Sequence, residues 1–217
     1  AVVCKGSGVL STELFQKGFF SVQGQASQRT AFLLDPKEGH TVIDLCAAPG
    51  GKSCAMAEQM NDRGRVLSFD LYPRRAELIR AQAERLGLTC ITAAAADSSQ
   101  PITRLEGIAD RVLCDVPCSG LGVIRQKPEI KLAQRPADLE ALPSLQLQIL
   151  QNGSLCLKPG GLLRYSTCTV NPAENRQVID RFLSESCSFV IEQEQQFFPQ
   201  ENGLDGFYIC LMRRQNC

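Results

Sequence analysis

Short apolar runs alternate with amphipathic segments along most of the chain, and this alternation restricts the fold more than any other feature. Compact apolar runs are typical of buried strands, whereas apolar residues spaced three and four apart are typical of helices. Strands are predicted at 40–46, 64–70, 88–94, 109–116, 160–167, 188–192 and 206–213. Helices are predicted at 26–35, 51–60, 73–87, 138–157 and 172–186. Such a pattern predicts an α/β fold with a mainly parallel sheet, helices on both faces, and an antiparallel edge formed by the last two strands.

Size and charge narrow the class of protein. The 217 residues, of which 44% are hydrophobic, are enough for one globular unit. Lysine and arginine together number 23, as do aspartate and glutamate, so a nucleic-acid partner would have to bind a local basic surface. The sequence has no apolar run long enough to cross a membrane and no charged-then-apolar leader, so we expect a cytoplasmic protein that does not contact a membrane. We also expect a monomer.

The cysteine and histidine content argues against disulfide and metal sites. The 11 cysteines include no CxxC pair and are spread through apolar runs, which favours reduced and mostly buried thiols. The single histidine, His40, stands in a glycine-flanked turn and is predicted to be solvated. We therefore expect no metal, and a thiol-redox function is disfavoured.

A glycine turn after the first strand predicts a ligand site. In "DLCAAPGGKS" (44–53), Pro49, Gly50 and Gly51 would let the backbone approach a ligand and would open a helix whose first N–H groups face it. The motif is neither GxGxxG nor a P-loop, because a P-loop would need glycine where Cys46 stands.

Acidic residues at three strand ends indicate the kind of ligand. Asp44 and Asp70 end the first two predicted strands, and Asp97 follows the third. An acid about 20 residues beyond a glycine turn typically binds ribose hydroxyls. Three carboxylates at one rim suit a nucleoside without a polyphosphate, and S-adenosylmethionine is the cofactor that fits this description. For Asp70 and Asp97 the alternatives are a helix cap and a turn residue.

Two cysteines at strand ends raise a question of catalysis. Cys118 follows the fourth predicted strand and Cys168 the fifth, so neighbouring strands would place both thiols in one crevice. Buried cysteine is normally inert packing. Cys118 and Cys168 differ from the other cysteines because each lies among turn formers on the predicted ligand rim.

At these motifs the sequence resembles the Nol/Nop/Sun family of RNA cytosine carbon-5 methyltransferases. The resemblance covers nearly the whole chain and is specific, because a PC in one loop paired with a TC in the next is the family's signature. It is carried by "FQKGFFSVQGQASQ" (15–28), "DLCAAPGGKS" (44–53), "DVPCSGLGVIRQKPEIK" (115–131), "YSTCTVNPAEN" (165–175) and "DGFYICLMRR" (205–214).

The resemblance implies a Rossmann-like S-adenosylmethionine-dependent methyltransferase fold and a role for each matching residue. It makes Cys168 the nucleophile that adds to carbon 6 of cytosine, and Cys118 the group that assists product release. Asp115 and Lys52 match positions that hold and polarise the target base. The matching cofactor-binding residues are Cys46, Ala47, Ala48, Pro49, Gly50, Gly51, Lys52, Asp70, Arg75, Asp97 and Asp115.

The resemblance also implies the organisation and the partner of the chain. Residues 1–36 would be a family-specific segment packed on a catalytic domain at 37–217, with an upstream RNA-binding domain missing. The partner would be RNA, in particular 16S ribosomal RNA of the small subunit. Arg125, Lys127 and Lys131 lie in the long loop at 117–137 and are candidate RNA contacts.

The sequence leaves two questions open near Cys168, namely what activates its thiol and what role Arg164 has. A free thiol has a pKa of about 8.5, so Cys168 needs activation, which a helix beginning near Pro172 would supply. Arg164 stands in the fifth strand where the family has an apolar residue, and it is either a local departure or part of that activation.

Three rival functions remain. A DNA cytosine carbon-5 methyltransferase shares the PC loop but lacks the second thiol and needs a target-recognition domain. A transfer RNA methyltransferase of the same family would use the same motifs. A noncatalytic RNA-binding assembly factor would retain the fold and would not bind the cofactor.

Overall fold

The computed structural model describes residues 8–202 and 205–216, which form a seven-stranded sheet with helices on both faces. The strands are β1 (Thr41–Asp44), β2 (Arg65–Asp70), β3 (Ile91–Ala95), β4 (Ala109–Asp115), β5 (Leu157–Thr167), β6 (Phe189–Phe197) and β7 (Phe207–Arg214). The helices are α1 (Glu13–Gln16), α2 (Gln25–Leu33), α3 (Gly51–Gln59), α4 (Pro73–Leu86), α5 (Ile130–Ala133), α6 (Pro136–Cys156), α7 (Arg176–Glu185) and α8 (Pro199–Asn202). Single 3-10 turns lie at Val9–Ser11, Thr103–Leu105 and Leu121–Val123.

The strand order confirms the predicted α/β architecture. Across the sheet it runs β3-β2-β1-β4-β5-β7-β6, and β1 to β5 are parallel. β7 lies antiparallel between β5 and β6, and so forms the predicted antiparallel edge. The order reverses between β1 and β4, where the crevice at the carboxyl ends of the strands is the usual ligand site.

Alternating strand residues separate the two layers of the core. Ile43 of β1 belongs to one core layer, which also contains Leu150 of α6 and Phe182 of α7. Its neighbour Val42 faces the other layer and packs with Ala31 of α2 and residues of α3. Because successive strand residues point to opposite faces, each strand contributes to both layers.

Helix ends follow local signals in the sequence. α4 begins at Pro73, whose missing N–H would be unpaired there in any case. It ends before Gly87, which adopts a left-handed conformation with φ of 69°. Among the described helices, none is both long enough and apolar enough to cross a bilayer.

Arginines of the sheet and of α4 bind the segment that precedes β1. Arg85 donates to the carbonyl oxygens of Phe15 and Phe20. Arg111 donates to the carbonyl of Leu34, just beyond the end of α2. These bonds hold the segment over the same layer as α3.

The long loop at 117–137 contains more regular structure than the sequence predicts. It includes the 3-10 turn at Leu121–Val123 and the short helix α5, and α6 already begins at Pro136. Gly122 makes this compact path possible, because a Cβ there would lie 2.0 Å from the carbonyl oxygen of Gly206. The loop is therefore packed against the turn that precedes β7.

Candidate active site

The crevice at the ends of β1, β4 and β5 contains most of the predicted site residues. Strand pairing places Asp44 beside Leu113, and Asp115 beside Ser166. Cys118 follows β4, and Cys168 directly follows β5. Since β4 and β5 are neighbours, the two cysteines meet as the sequence predicts.

The glycine turn opens a pocket of about 250 Å³ at this crevice. Gly50 has φ of 108°, and a Cβ there would lie 3.1 Å from Cα of Ile79, so glycine suits both the conformation and the close contact with α4. The pocket is lined by Val22, Gln23, Gly24, Ser27, Asp44, Cys46, Ala47, Ala48, Pro49, Gly51, Lys52 and Asp115. The segment before β1 thus supplies one wall and the glycine turn the other.

Asp44 is a buried carboxylate with one unpaired oxygen on this pocket. It is 1% exposed, and its Oδ2 accepts a hydrogen bond from Ser53 Oγ at 2.7 Å. Its Oδ1 is buried without a hydrogen-bond partner among the described residues. Burial raises the pKa of Asp44 to about 7. An unpaired carboxylate oxygen here suits a cationic group of a ligand.

Asp70 and Arg75 connect the second strand to the glycine turn. Asp70 is 5% exposed, and its Oδ1 lies 3.2 Å from Nε of Arg75. Arg75 in turn donates to the carbonyl oxygen of Ala48 at 3.3 Å. Two predicted cofactor residues are thereby linked to a third.

Asp97 has a different environment. It is exposed two residues beyond the end of β3, and its Oδ1 accepts from both N and Oγ of Ser99 at 2.9 and 2.7 Å. These are the contacts of an Asx turn, the alternative that the sequence left open for this residue. Asp97 does not line the pocket that the glycine turn opens.

Lys52 and Asp115 form an ion pair between the pocket and the cysteines. Lys52 Nζ lies 2.6 Å from Asp115 Oδ2, while Ser166 Oγ donates to Asp115 Oδ1 at 2.6 Å. Burial by itself would lower the pKa of Lys52, but the charge of Asp115 and its hydrogen bond outweigh burial and raise the pKa. Lys52 therefore stays protonated beside Asp115.

The thiols of Cys118 and Cys168 lie within hydrogen-bonding distance of each other. Their Sγ atoms are 3.3 Å apart. The hydrogen bond with Cys118 lowers the pKa of Cys168, and the same bond together with burial raises the pKa of Cys118. These directions favour Cys118 as the thiol donor and Cys168 as the group that ionises first. The ammonium of Lys52 adds a smaller lowering of the pKa of Cys168.

The helix that was predicted to begin near Pro172 and to activate Cys168 begins later than predicted. The stretch at 172–175 forms turns, and α7 begins only at Arg176. Asn171 causes the delay, because its Oδ1 accepts from the backbone of Ala173 and its carbonyl from that of Glu174. The pKa of Cys168 is lowered instead by Cys118.

Arg164 lies away from the thiols. It is 0% exposed, and Nη1 donates to the carbonyl oxygens of Arg29 and Thr30 in α2 at 3.3 and 3.1 Å. Its Nε and Nη2 have no partner among the described residues, and burial lowers its pKa to about 10. Of the two interpretations of Arg164, the structure favours a local departure from the family sequence that anchors α2, and not a part of the activation of Cys168.

The candidate RNA contacts lie on the long loop that also carries Cys118. Arg125, Lys127 and Lys131 are exposed, and Arg125 Nη2 lies 3.5 Å from Asp205 Oδ1. His40 directly precedes β1 and so lies at the opposite end of this strand from the crevice. Its Nδ1 accepts a hydrogen bond from the backbone N–H of Lys37. No group of metal-ligating side chains occurs within residues 8–202 and 205–216.

Sequence reasoning did not single out a buried polar cluster behind the cysteines. It consists of Ser119, Gln146, Thr169, Glu174 and Asn175, all of them buried. The signal was present as "NPAEN" (171–175), which begins three residues after Cys168. The partners of these residues come from sites far away in the chain, so the pattern alone did not reveal them.

The sheet order, the glycine turn at the switch point and the antiparallel β7 together define the Rossmann-like methyltransferase fold. Comparison with known proteins places the chain more narrowly. The model of the 16S rRNA methyltransferase RsmB/F family matches residues 31–213, and the chain belongs to that family. This confirms the resemblance to the Nol/Nop/Sun family.

Individual relatives agree with this assignment. The chain is 41% identical to the probable ribosomal RNA small subunit methyltransferase B of Bacillus subtilis, in an alignment that covers 95% of this chain and 50% of the relative. The chain spans about half the length of the curated relatives that it matches.

Solved structures show the same fold. NSun6 from Pyrococcus horikoshii, crystallised with SFG, has a TM-score of 0.86 and 28% identity over 96% of this chain and 56% of its own. A methyltransferase homolog protein from Pyrococcus horikoshii has a TM-score of 0.83 and 28% identity, covering 95% of this chain and 72% of its own.

Proposed function

We propose that this chain is the catalytic part of an S-adenosylmethionine-dependent RNA methyltransferase that forms 5-methylcytosine, with 16S ribosomal RNA as its substrate. The observation that carries the proposal is the pair of thiols 3.3 Å apart, next to the Lys52–Asp115 ion pair and the acid-lined pocket. The names of the family and of the Bacillus subtilis relative support ribosomal RNA as the substrate.

The pocket fits S-adenosylmethionine chemically. The cofactor carries a sulfonium, an ammonium and a ribose, and the pocket offers the unpaired Oδ1 of Asp44 together with the nearby carboxylate of Asp70. Residues 46–52 would hold the cofactor along the glycine turn. Arg75 would fix one end of that turn through its hydrogen bond to the carbonyl of Ala48. When bound, the cofactor supplies an electrophilic methyl group. NSun6 was crystallised with SFG, an analogue of S-adenosylmethionine, which supports this use of the fold.

Cys168 would perform the first chemical step. Carbon 5 of cytosine is a poor nucleophile until a thiolate adds to carbon 6 and makes an enamine. The hydrogen bond with Cys118 favours ionisation of Cys168, and Asp115 and Lys52 would bind the polar edge of the base. Lys52 also limits the repulsion between the carboxylate of Asp115 and the thiolate.

Cys118 would act in the last step. After methyl transfer, carbon 5 must lose its proton, and the bond between carbon 6 and Cys168 Sγ must break so that the double bond re-forms. Cys118 would assist this release, and its Sγ lies 3.3 Å from the Sγ of Cys168. A base in structured RNA would first have to be unstacked, at a cost of a few kcal/mol.

The test is formation of 5-methylcytosine in 16S ribosomal RNA transcribed in vitro. Purified protein and S-adenosylmethionine are incubated with the RNA, and nucleosides are quantified by mass spectrometry. We expect 5-methylcytosine with the wild type and none with Cys168→Ala. Exposed Cys187→Ala is the matched control and should behave as the wild type. Calorimetry that detects no binding of S-adenosylmethionine would instead favour a noncatalytic RNA-binding factor.

A further inference from the structure

The stretch from Asn171 to Asn175, directly behind Cys168, contains a carboxylate that the proposed chemistry does not use. Glu174 is 0% exposed although it lies in a turn between a strand and a helix. Burying a carboxylate is unfavourable unless hydrogen bonds replace its water. The donors that satisfy Glu174 therefore indicate what the residue holds together.

Three donors from three different elements converge on this carboxylate. Ser119 N donates to Oε2 at 2.8 Å, and Gln146 Nε2 donates to the same oxygen at 3.0 Å. Asn171 Nδ2 donates to Oε1 at 3.0 Å. The donors belong to the loop after β4, to α6, and to the loop after β5, respectively. Glu174 thus connects the two loops that carry the cysteines.

The neighbours of the two cysteines complete the connection. Ser119 directly follows Cys118 and Thr169 directly follows Cys168, and the Oγ and Oγ1 atoms of Ser119 and Thr169 are 2.7 Å apart. Gln146 Nε2 also donates to the carbonyl of Pro117, the residue before Cys118, at 2.9 Å. The loop that carries Cys118 is therefore fixed on both sides of its cysteine.

Asn175 fixes the other loop in the same way. Its Oδ1 accepts from Thr167 Oγ1 at 2.6 Å, and its Nδ2 donates to the carbonyl of Thr169 at 3.1 Å. These contacts lie on either side of Cys168. The backbone carbonyl of Glu174 also accepts from Tyr165 Oη at 2.6 Å. Cys168 is thus held by its own loop. The Glu174 carboxylate, the Ser119–Thr169 bond and the bond from Gly122 N to the carbonyl of Cys168 at 3.0 Å join this loop to that of Cys118.

We propose that Glu174 is a positioning residue that sets the separation of Cys118 and Cys168 and so maintains the hydrogen bond between their sulfur atoms. Removing the carboxylate would leave the backbone N–H of Ser119 without its acceptor, and the amide of Gln146 with only the carbonyl of Pro117. The Cys118 loop would then relax away from Cys168. The consequence for catalysis rests on the proposed function, whereas the geometric claim does not.

The geometric claim is tested by oxidative cross-linking, which needs neither RNA nor cofactor. Diamide takes up two hydrogens from a pair of thiols and leaves a disulfide, and the linked 118–168 peptides are quantified by mass spectrometry over time. We expect rapid linkage in the wild type and a rate at least about tenfold lower in Glu174→Ala. Exposed Glu84→Gln, on the far side of the sheet in α4, should link at the wild-type rate.

A second variant keeps the test valid if Glu174→Ala does not fold. Glu174→Gln retains an oxygen for Ser119 N but presents a donor towards Asn171 Nδ2, so we expect a rate between those of the wild type and the alanine variant. Melting temperatures establish which variants are folded. A folded Glu174→Ala, or failing that a folded Glu174→Gln, that links at the wild-type rate would overturn the proposal.

The thiol pH profile separates positioning from general stabilisation. Alkylation of Cys168 by iodoacetamide, followed at the peptide level, should shift to higher pH in Glu174→Ala, because its thiolate loses the hydrogen bond from Cys118. Calorimetric binding of S-adenosylmethionine should be unchanged, since Glu174 does not line that pocket. An absence of cofactor binding in the wild type would count against the proposed function, whereas an unchanged alkylation profile would count against Glu174.

Discussion

At the scale of single residues, the nucleophile depends on its neighbouring thiol. The pKa of Cys168 is lowered first by the hydrogen bond from Cys118 and only then by the charge of Lys52. Cys118→Ala should therefore raise the pKa of Cys168 and slow its alkylation by iodoacetamide at pH 7 by several-fold. The exposed Cys187 provides an internal reference peptide in the same digest. Unchanged alkylation of Cys168 would show that Lys52 alone is sufficient.

A second residue-scale prediction concerns the pH dependence of cofactor binding. Burial raises the pKa of Asp44 to about 7, so its carboxyl group is mostly protonated below that pH. A cationic ligand prefers the ionised form, and binding should therefore release a proton and tighten as pH rises. We expect the affinity for S-adenosylmethionine to increase about fivefold from pH 6 to pH 7.

Calorimetry in buffers of different ionisation enthalpy measures both the affinity and the released proton. Asp44→Asn is the matched variant, because it keeps the shape and cannot ionise. It should bind more weakly at pH 7 and lose the pH dependence over this range. The same pH dependence in Asp44→Asn would assign the proton to another group.

At the scale of whole elements, the position of α6 against the sheet depends on Gly153. A Cβ at this position would lie 2.7 Å from Cys114 Sγ and 3.0 Å from Leu45 Cδ1. Gly153→Ala should lower the free energy of unfolding by about 1–3 kcal/mol through overpacking, although alanine is favoured over glycine in a helix by about 1 kcal/mol.

Urea denaturation measures this change. Exposed Gln148→Ala in the same helix is the control and should change stability by no more than about 0.5 kcal/mol. A Gly153→Ala protein that is more stable than the wild type would show that helix propensity outweighs packing at this contact.

Helices and strands were predictable from the sequence where the spacing of apolar residues agrees with the residues that begin and end the element. β2 and β4 lie within a residue or two of their predicted bounds, because each contains a short, mostly apolar run that an aspartate ends. α7 begins four residues later than predicted, since the side chain of Asn171 and the turn after it satisfy the backbone locally. The helical spacing of apolar residues does not reveal where such local hydrogen bonds replace those of a helix.

The candidate site was predictable only in part. The meeting of Cys118 and Cys168 followed from strand order, because consecutive parallel strands in an α/β sheet are often neighbours. The bonds of Glu174 to Ser119 and Gln146 join residues 55 and 28 positions apart. Such contacts depend on how loops and α6 meet in space, which no local pattern in the sequence encodes.

At the scale of the whole molecule, one sheet carries two halves of the proposed site. The glycine turn after β1 provides the pocket proposed for the cofactor, and the loops after β4 and β5 provide the thiols. Lys52 and Asp115 form the link between them at 2.6 Å. The chain has no net formal charge, so the proposed RNA contact depends on the local cations of the long loop rather than on the whole surface.

The central claim is that Cys168 attacks the base and Cys118 assists its release, and covalent trapping tests it most directly. RNA that contains 5-fluorocytosine is incubated with protein and S-adenosylmethionine, and the adduct is resolved by denaturing electrophoresis. Because fluorine cannot leave carbon 5 as a proton does, the thioether to the nucleophile persists. We predict that Cys168→Ala abolishes the adduct and that Cys118→Ala retains it. Loss of the adduct in Cys118→Ala with retention in Cys168→Ala would contradict the account.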